Sequence, residues 1–286
     1  MNDAVELIGV TKQYKEFRLN HISLNIPKGC IMGLIGENGA GKTTLIKAMT
    51  GLIVKDSGII KLGGMELEKD EIAIKEDLGV VLSEADYPEY LKAAQLSKIM
   101  RNIYKQWDEK LFFTYLDEFG ISKNKTIKEC SKGMKMKLSI AVALSHNAKI
   151  LILDEATSGL DPVIRDEILD IFMNYIQDEE HTILFSSHIT SDLEKIADYI
   201  TFLHEGNLIF SYSKDHLIYD YGIIRCKSKD MQRINPSHIV ACRNNSFGQE
   251  ILIKDRNEFE KFNHEFEVDN AKIEEIMLFY IKGERA

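Results

Sequence analysis

Gly36-Glu37-Asn38-Gly39-Ala40-Gly41-Lys42-Thr43-Thr44 is a stretch in which residue type and spacing together specify a ligand. Gly36, Gly39 and Gly41 let the backbone turn so that successive N–H groups point inward. A helix starting beyond them adds its positive end, and the result is a concave site for anions that suits a triphosphate. The spacing G-x-x-x-x-G-K-[ST] lets Lys42 reach the outer phosphates and lets the Thr43 hydroxyl ligate a Mg2+ between them. A second set of residues could act on such a phosphate. Asp154 and Glu155 end the apolar run Ile150-Leu151-Ile152-Leu153. Asp154 suits the shell of the cation, directly or through water, and Glu155 suits polarising a water that attacks the terminal phosphate. His188 follows the run Thr182 to Ser187, and at such a strand end it is placed to sense a phosphate. Tyr14, an aromatic in the polar turn Lys12 to Glu16, reads either as hydrophobic filler or as a platform for an adenine ring.

These groups need elements to hold them. Ile31 to Ile35 before the glycine loop and Thr44 to Met49 after it read as strand, loop and helix. Four apolar residues before Asp154 describe a fully buried strand whose carboxyl end opens into a site, where open α/β sheets place their ligands. Ser158-Gly159-Leu160-Asp161-Pro162 is a tight turn into a helix from Val163 to Tyr175. Beyond His188 a helix from Ile189 to Asp198 is expected, then the strands Ile200 to Leu203 and Leu208 to Phe210 joined by Glu205-Gly206-Asn207.

Earlier in the chain, residues 5 to 26 alternate in strand fashion as an antiparallel start, and Ser57 to Gly64 and Leu78 to Leu82 give further strands. From Tyr90 to Leu116 the texture turns helical, with Leu96, Ile99, Ile103, Trp107 and Leu111 on one stripe. This helical insertion closes at Cys130-Ser131-Lys132-Gly133-Met134, where Ser131 is typed as the N-cap of a helix through Leu144. From Ser213 onward the motifs stop. Strands at Gly222 to Cys226, Ile239 to Cys242 and Glu250 to Ile253, with a helix from Ala271 to Ile281, make a small α+β appendage.

Composition bounds the rest. A chain of 286 residues suggests one large and one small unit, and 44% hydrophobic with 28% charged residues is the balance of a folded globular protein. The net charge of -9 disfavours a nucleic-acid surface, so anion binding must be local. Cys30, Cys130, Cys226 and Cys242 form no CxxC pair, which indicates neither a zinc site nor a disulfide scaffold. The acidic start Met1 to Glu6 lacks an apolar signal region, and no apolar run approaches the ~20 residues that span a bilayer. Action at a membrane would go through a partner.

With these residues in place, the chain resembles the nucleotide-binding subunit of an ATP-binding cassette (ABC) transporter over roughly residues 3 to 212. The resemblance implies an α/β P-loop NTPase cassette. It would combine a mixed sheet, an antiparallel β subdomain and a helical subdomain inserted at about 84 to 146, in a domain spanning 1 to 212. Residues 213 to 286 would form the accessory unit. It makes Gly36 to Thr43 the Walker A motif, Ile150 to Asp154 the Walker B strand and Glu155 the catalytic carboxylate. Ser158 to Asp161 becomes the D-loop, His188 the switch histidine and Tyr14 the adenine-stacking aromatic. Cys130 to Met134 stands where the family carries Leu-Ser-Gly-Gly-Gln, keeping Ser131 and Gly133 to face a phosphate, with Lys132 adding charge. After Leu82 the family has a glutamine that touches Mg2+. Here Ser83-Glu84 stands, and either Glu84 substitutes or the contact is lost. The Ser-Lys-Gly-Met signature, the modified glutamine loop at Ser83-Glu84 and the ending Ile273 to Ile281 resemble bacterial ABC-2-type exporters, including those for antimicrobial and phenol-soluble-modulin-like peptides.

The implied activity is hydrolysis of Mg-ATP at a head-to-tail dimer. One chain's loop and the other chain's signature would enclose each nucleotide, the second cassette being a like or a related chain. The chain would sit at the cytoplasmic face of the membrane and drive export through a separate polytopic subunit. Two other readings stand beside it: a soluble ABC ATPase that remodels ribosomes or DNA, and a nucleotide-gated binding module that scarcely hydrolyses.

Overall fold

The computed structural model describes residues 3–82, 87–227, 230–245 and 248–284. The chain starts with strands β1 (Asp3–Gln13) and β2 (Arg18–Pro27), then β3 (Ile31–Ile35) and helix α1 (Lys42–Met49). Next come β4 (Ser57–Leu62), β5 (Met65–Glu66), α2 (Leu67–Glu76) and β6 (Leu78–Val81). Helices α3 (Ala93–Ile103), α4 (Glu109–Glu118) and α5 (Lys132–Leu144) precede β7 (Ile150–Asp154), α6 (Pro162–Tyr175), β8 (Thr182–Ser187) and α7 (Thr190–Ile196). Strands β9 (Tyr199–His204) and β10 (Asn207–Ser213) follow.

The central sheet has the order β10-β9-β3-β8-β7-β6. Strands β9, β3, β8, β7 and β6 run parallel, and β10 closes one edge antiparallel to β9. Every residue of β3, β7 and β8 is buried, as parallel strands covered on both faces require. That is why these strands read as unbroken apolar runs instead of alternating ones. Because β3, β7 and β8 are neighbours and parallel, the loops after Ile35, Asp154 and Ser187 emerge side by side at one edge.

A second sheet, β2-β1-β4-β5, is antiparallel, with Leu7 opposite Leu24 on one side and Ile60 on the other. The inward residues Val5, Leu7, Ile22, Leu24 and Ile26 share one core with Leu45, Ile46 and Met49 of α1. The helix that follows the glycine loop is thereby held between two sheets. The alternation of residues 5 to 26 is the signature of that one-sided burial.

In the helical unit, Leu96, Phe112 and Leu116 pack with Leu138, Ala141 and Val142 of α5. The expected single stripe is interrupted. Tyr104 is extended at φ -101° and ψ 127°, so α3 ends there, and Asp108 caps α4 by accepting from the Leu111 N–H at 2.9 Å. Ile99 and Ile103, placed on the buried stripe by their spacing, are 39% and 57% exposed. Among the aromatics, Trp107 packs against the helical core and Tyr90 points out.

The remaining residues form α8 (Lys214–Tyr219), β11 (Gly222–Cys226), β12 (Ile239–Asn245), β13 (Gly248–Ile253), α9 (Arg256–Phe262), β14 (Val268–Asn270) and α10 (Ile273–Lys282). Their antiparallel sheet has the order β12-β13-β11-β14. Strand β14 and helix α9 carry too few apolar residues to be legible by spacing. Helix α10 buries Ile273, Ile276, Met277 and Phe279 in a core that also contains Leu193 and Ile196 of α7 and Phe210 of β10. Tyr280 is only partly buried against that core. The appendage is therefore continuous in its packing with the central sheet.

Candidate active site

The glycine loop runs from the end of β3 to the start of α1, where the sequence places it. Gly39 and Gly41 have φ of 85° and 106°, which L side chains rarely adopt. Gly36 is required for a different reason: a Cβ there would lie 2.4 Å from the Leu203 carbonyl oxygen of β9. The loop is closed by hydrogen bonds from the Ala40 N–H to the Glu37 carbonyl at 3.1 Å and from the Gly206 N–H to the Ala40 carbonyl at 2.9 Å.

Lys42 is buried, and its Nζ donates to the carbonyls of Gly36 at 2.7 Å and Glu37 at 3.3 Å. The same ammonium lies 3.6 Å from Oε1 of Glu155. Folding the lysine back across its own loop keeps its charge at the centre of the concavity. Beside it, the Thr43 hydroxyl donates to Oδ2 of Asp154 at 2.9 Å, and Ser186 Oγ donates to Oδ1 of the same carboxylate at 2.6 Å. Asp154 is 1% exposed, so both oxygens of a buried charge are satisfied by neutral hydroxyls.

These contacts test the fit of a divalent cation. The Thr43 hydroxyl and the Asp154 carboxylate are adjacent hard oxygens beside the phosphate loop. No cluster of three or more His, Cys, Asp or Glu exists among the described residues. One or two protein oxygens, with phosphates and water completing the shell, suit Mg2+ and not a site built wholly of protein ligands.

Glu155 leaves β7 at φ 55°, a left-handed conformation for a residue that is not glycine. Its N–H donates to both the carbonyl and the Oγ of Ser186 at 3.1 Å. This turn carries the side chain away from the sheet, so that its carboxylate meets Lys42 on one side and Nδ1 of His188 on the other. A conformation of this kind costs of order 1–3 kcal/mol and is a common mark of functional positions.

One cleft brings together Tyr14, Glu37, Asn38, Gly39 and Gly41 with Lys42, Thr43 and Thr44, and then with Glu155 and His188. Tyr14 is 43% exposed on its rim, in a turn held by its N–H donating to the Phe17 carbonyl at 2.7 Å. Phe17, a residue of the cleft, does not stand out in the sequence, and Ser158, the first residue of the turn Ser158 to Asp161, joins it there. Phe17 sits against Gly41, where an added Cβ would meet its ring at 2.6 Å. Ser186 is likewise invisible without the pairing of β7 with β8.

Ser131 and Gly133 do not line that cleft. Ser131 is the N-cap of α5, accepting from the Met134 N–H at 3.2 Å, and Gly133 is packed under Ile164 and Leu160. Lys132 turns toward its own chain and donates to the Ser158 carbonyl at 3.0 Å. Ser83 and Glu84, the expected substitutes for a metal-touching glutamine, lie outside the described residues.

Known proteins resemble this chain in sequence and in fold. A family model described as ABC transporter matches residues 19–158. The lantibiotic transport ATP-binding protein SrtF of Streptococcus pyogenes is 36% identical over 214 residues, covering 74% of this chain and 91% of the relative. The bacitracin transport ATP-binding protein BcrA of Bacillus licheniformis is 33% identical over 220 residues, covering 76% of this chain and 72% of the relative. Among solved structures, cbiO1 from Clostridium perfringens, described as part of the ABC transporter complex cbiONQ, superposes with a TM-score of 0.64 at 25% identity. It covers 75% of this chain and 90% of that one. The sequence relatives and the shared fold show that the chain belongs to the ABC transporter family, as an ATP-binding cassette that hydrolyses ATP.

Proposed function

We propose that this chain binds Mg-ATP on the Gly36 to Thr44 loop and hydrolyses it to drive export of a peptide antibiotic or similar amphipathic cargo. Export would proceed through a separate polytopic membrane subunit, with the chain held at the cytoplasmic face by that partner. The observation that carries the reading is the meeting of Lys42, Glu155 and His188 at the mouth of the phosphate loop. An ammonium that neutralises a terminal phosphate, a carboxylate and an imidazole that bridges to it are the parts needed for attack by water on that phosphate.

Each residue has a role in that reaction. Backbone N–H groups from Gly39 to Thr44 and the Lys42 ammonium take the β- and γ-phosphates. Thr43 and Asp154 would hold Mg2+, which would supply charge neutralisation for the phosphates. Glu155 orients the attacking water and accepts its proton. His188, whose Nδ1–H donates to Glu155, keeps that carboxylate turned toward the phosphate. Tyr14 stacks on the adenine from the rim. Ser131 and Gly133 lie outside this cleft, which supports a second cassette supplying its own signature across a head-to-tail interface. The names of the relatives, for lantibiotic and bacitracin transport, support a peptide cargo. No described helix is long and apolar enough to cross a membrane.

The test combines two measurements. Tagged chain is purified from its native membranes in mild detergent, its partners are identified by mass spectrometry, and phosphate release is followed with and without Mg2+. A stoichiometric polytopic partner with Mg2+-dependent turnover is expected. Absence from membranes with ribosomal partners would favour the soluble ATPase. Tight ATP binding without turnover would favour the gated module.

A further inference from the structure

Glu155 and His188 lie on two different loops, and both side chains project from the sheet edge toward the cleft. What sets their separation is found on the side of those loops away from the nucleotide. Thr157 is two residues beyond Glu155 and Asp192 is four beyond His188, in the first turn of α7. The Thr157 hydroxyl donates to Oδ2 of Asp192 at 2.7 Å. The other carboxylate oxygen, Oδ1, accepts from Nε of Arg165 in the first turn of α6. Arg165 also donates through its other guanidinium nitrogen to Ser191 Oγ at 2.8 Å. Thr157 is 0% and Asp192 1% exposed.

We propose that Asp192, with Thr157 and Arg165, is a positioning clamp that sets the distance between the Glu155 carboxylate and the His188 imidazole during ATP hydrolysis. The inference rests on the roles proposed for Glu155 and His188. Three segments meet at one carboxylate: the turn after Glu155, the start of α6 and the start of α7. The turn is internally bonded, with the Ser158 N–H donating to the Glu155 carbonyl at 3.0 Å, so a shift at Thr157 is carried to Glu155. On the other side, the Asp192 N–H donates to the Ile189 carbonyl at 3.2 Å, and the Ile189 N–H donates to Ser187 Oγ at 3.0 Å, which carries a shift to His188. A buried carboxylate held by two partners, Thr157 on one oxygen and Arg165 on the other, resists motion because losing either leaves it under-satisfied. None of the three touches the cleft, so the clamp acts on geometry and not on the nucleotide.

The experiment compares Thr157→Val, which removes the hydroxyl at nearly constant shape, with Thr157→Ser, which keeps it. Each is made alone and in a Glu155→Gln background. ATP affinity, KM, kcat from single-turnover and steady-state phosphate release, and the thermal midpoint are measured. Thr157→Val is expected to lower kcat about ten- to a hundredfold with KM for ATP within about twofold, the loss typical of a misplaced reacting group. Thr157→Ser is expected to restore kcat. In the Glu155→Gln background, Thr157→Val is expected to cost nothing further, because the group it positions is gone. Unchanged kcat in Thr157→Val would overturn the clamp, as would the same loss in both backgrounds or a loss that follows only the thermal midpoint. Brisk turnover by Glu155→Gln alone would instead overturn the role of Glu155, and the clamp with it.

Discussion

Replacing Glu155 with glutamine separates chemistry from binding at this site. The amide keeps the shape of the side chain and a partner for His188, but it loses the charge and the capacity to take a proton from water. General-base assistance contributes about 10²- to 10⁴-fold, so the barrier should rise by about 2.7–5.5 kcal/mol and kcat should fall accordingly. The effect on binding has the opposite sign. Glu155 Oε1 lies 3.6 Å from the Lys42 ammonium, and their side chains are 16% and 6% exposed. At such a separation near a protein surface the gross attraction is about 4 kcal/mol, most of it offset by desolvation and by competition with phosphate. Removing the carboxylate frees Lys42 for the γ-phosphate, and ATP affinity should stay equal or tighten by up to about tenfold. Phosphate release, equilibrium binding of a fluorescent ATP analogue and size-exclusion chromatography with Mg-ATP measure the outcome. A slow, ATP-retaining dimer is expected. Turnover within about threefold of the unsubstituted protein would refute Glu155 as the base, and a collapse of ATP affinity would show that the carboxylate serves chiefly to hold Lys42.

Lys42→Met should weaken ATP binding by about 10- to 150-fold, the loss of a charge-assisted hydrogen bond of about 1.5–3 kcal/mol, read by isothermal titration. Gly36→Ala places a Cβ 2.4 Å from the Leu203 carbonyl oxygen, so overpacking of about 1–3 kcal/mol should lower the thermal midpoint and ATP affinity together. His146 is buried against the Tyr104 ring, near the carbonyls of Val142 and Leu78, and burial holds its pKa below the ordinary 6.5. The unfolded chain therefore takes up a proton at a higher pH than the native one. The associated stability is full above about pH 6.5 and is lost as pH falls toward the native pKa. Calorimetry from pH 7.5 down to 5.5 should show a smaller loss of midpoint for His146→Phe than for the unsubstituted protein, and equal losses would refute the assignment.

Where burial is one-sided or complete over a whole strand, the sequence and the fold agree. The unbroken runs of β3, β7 and β8 and the alternation of β1 and β2 correspond to two-sided and one-sided burial, and each element lies within a few residues of its expected place. The helical unit was less legible. Ile99 and Ile103 continue the spacing of Leu96, yet only Leu96 is fully buried, because α3 covers the unit's core with one part of its length. In the last seventy residues, β14 has three residues and α9 seven, too short for periodicity to speak. What spacing did reveal there was α10, whose buried face is shared with α7 and β10.

The site divides along a different line, between residues that meet a ligand and residues that meet each other. A ligand imposes its own geometry on the chain: phosphates demand glycines at fixed offsets, a lysine after them and a hydroxyl next. Such groups are legible even where they come from distant segments, as Asp154 and His188 do. Groups that recognise only one another carry no such imprint. Ser186 holds Asp154 across 32 positions, and Thr157 meets Asp192 across 35, with nothing in either residue's neighbourhood to mark the pairing. The parallel pairing of β7 with β8 is what creates these contacts, by setting Asp154 beside Ser186 and sending the two following loops out together. A substitution scan guided by motifs alone would therefore sample the groups that touch the nucleotide and pass over those that hold them at working distance. In this chain the second group includes Asp192, a carboxylate more deeply buried than Glu155.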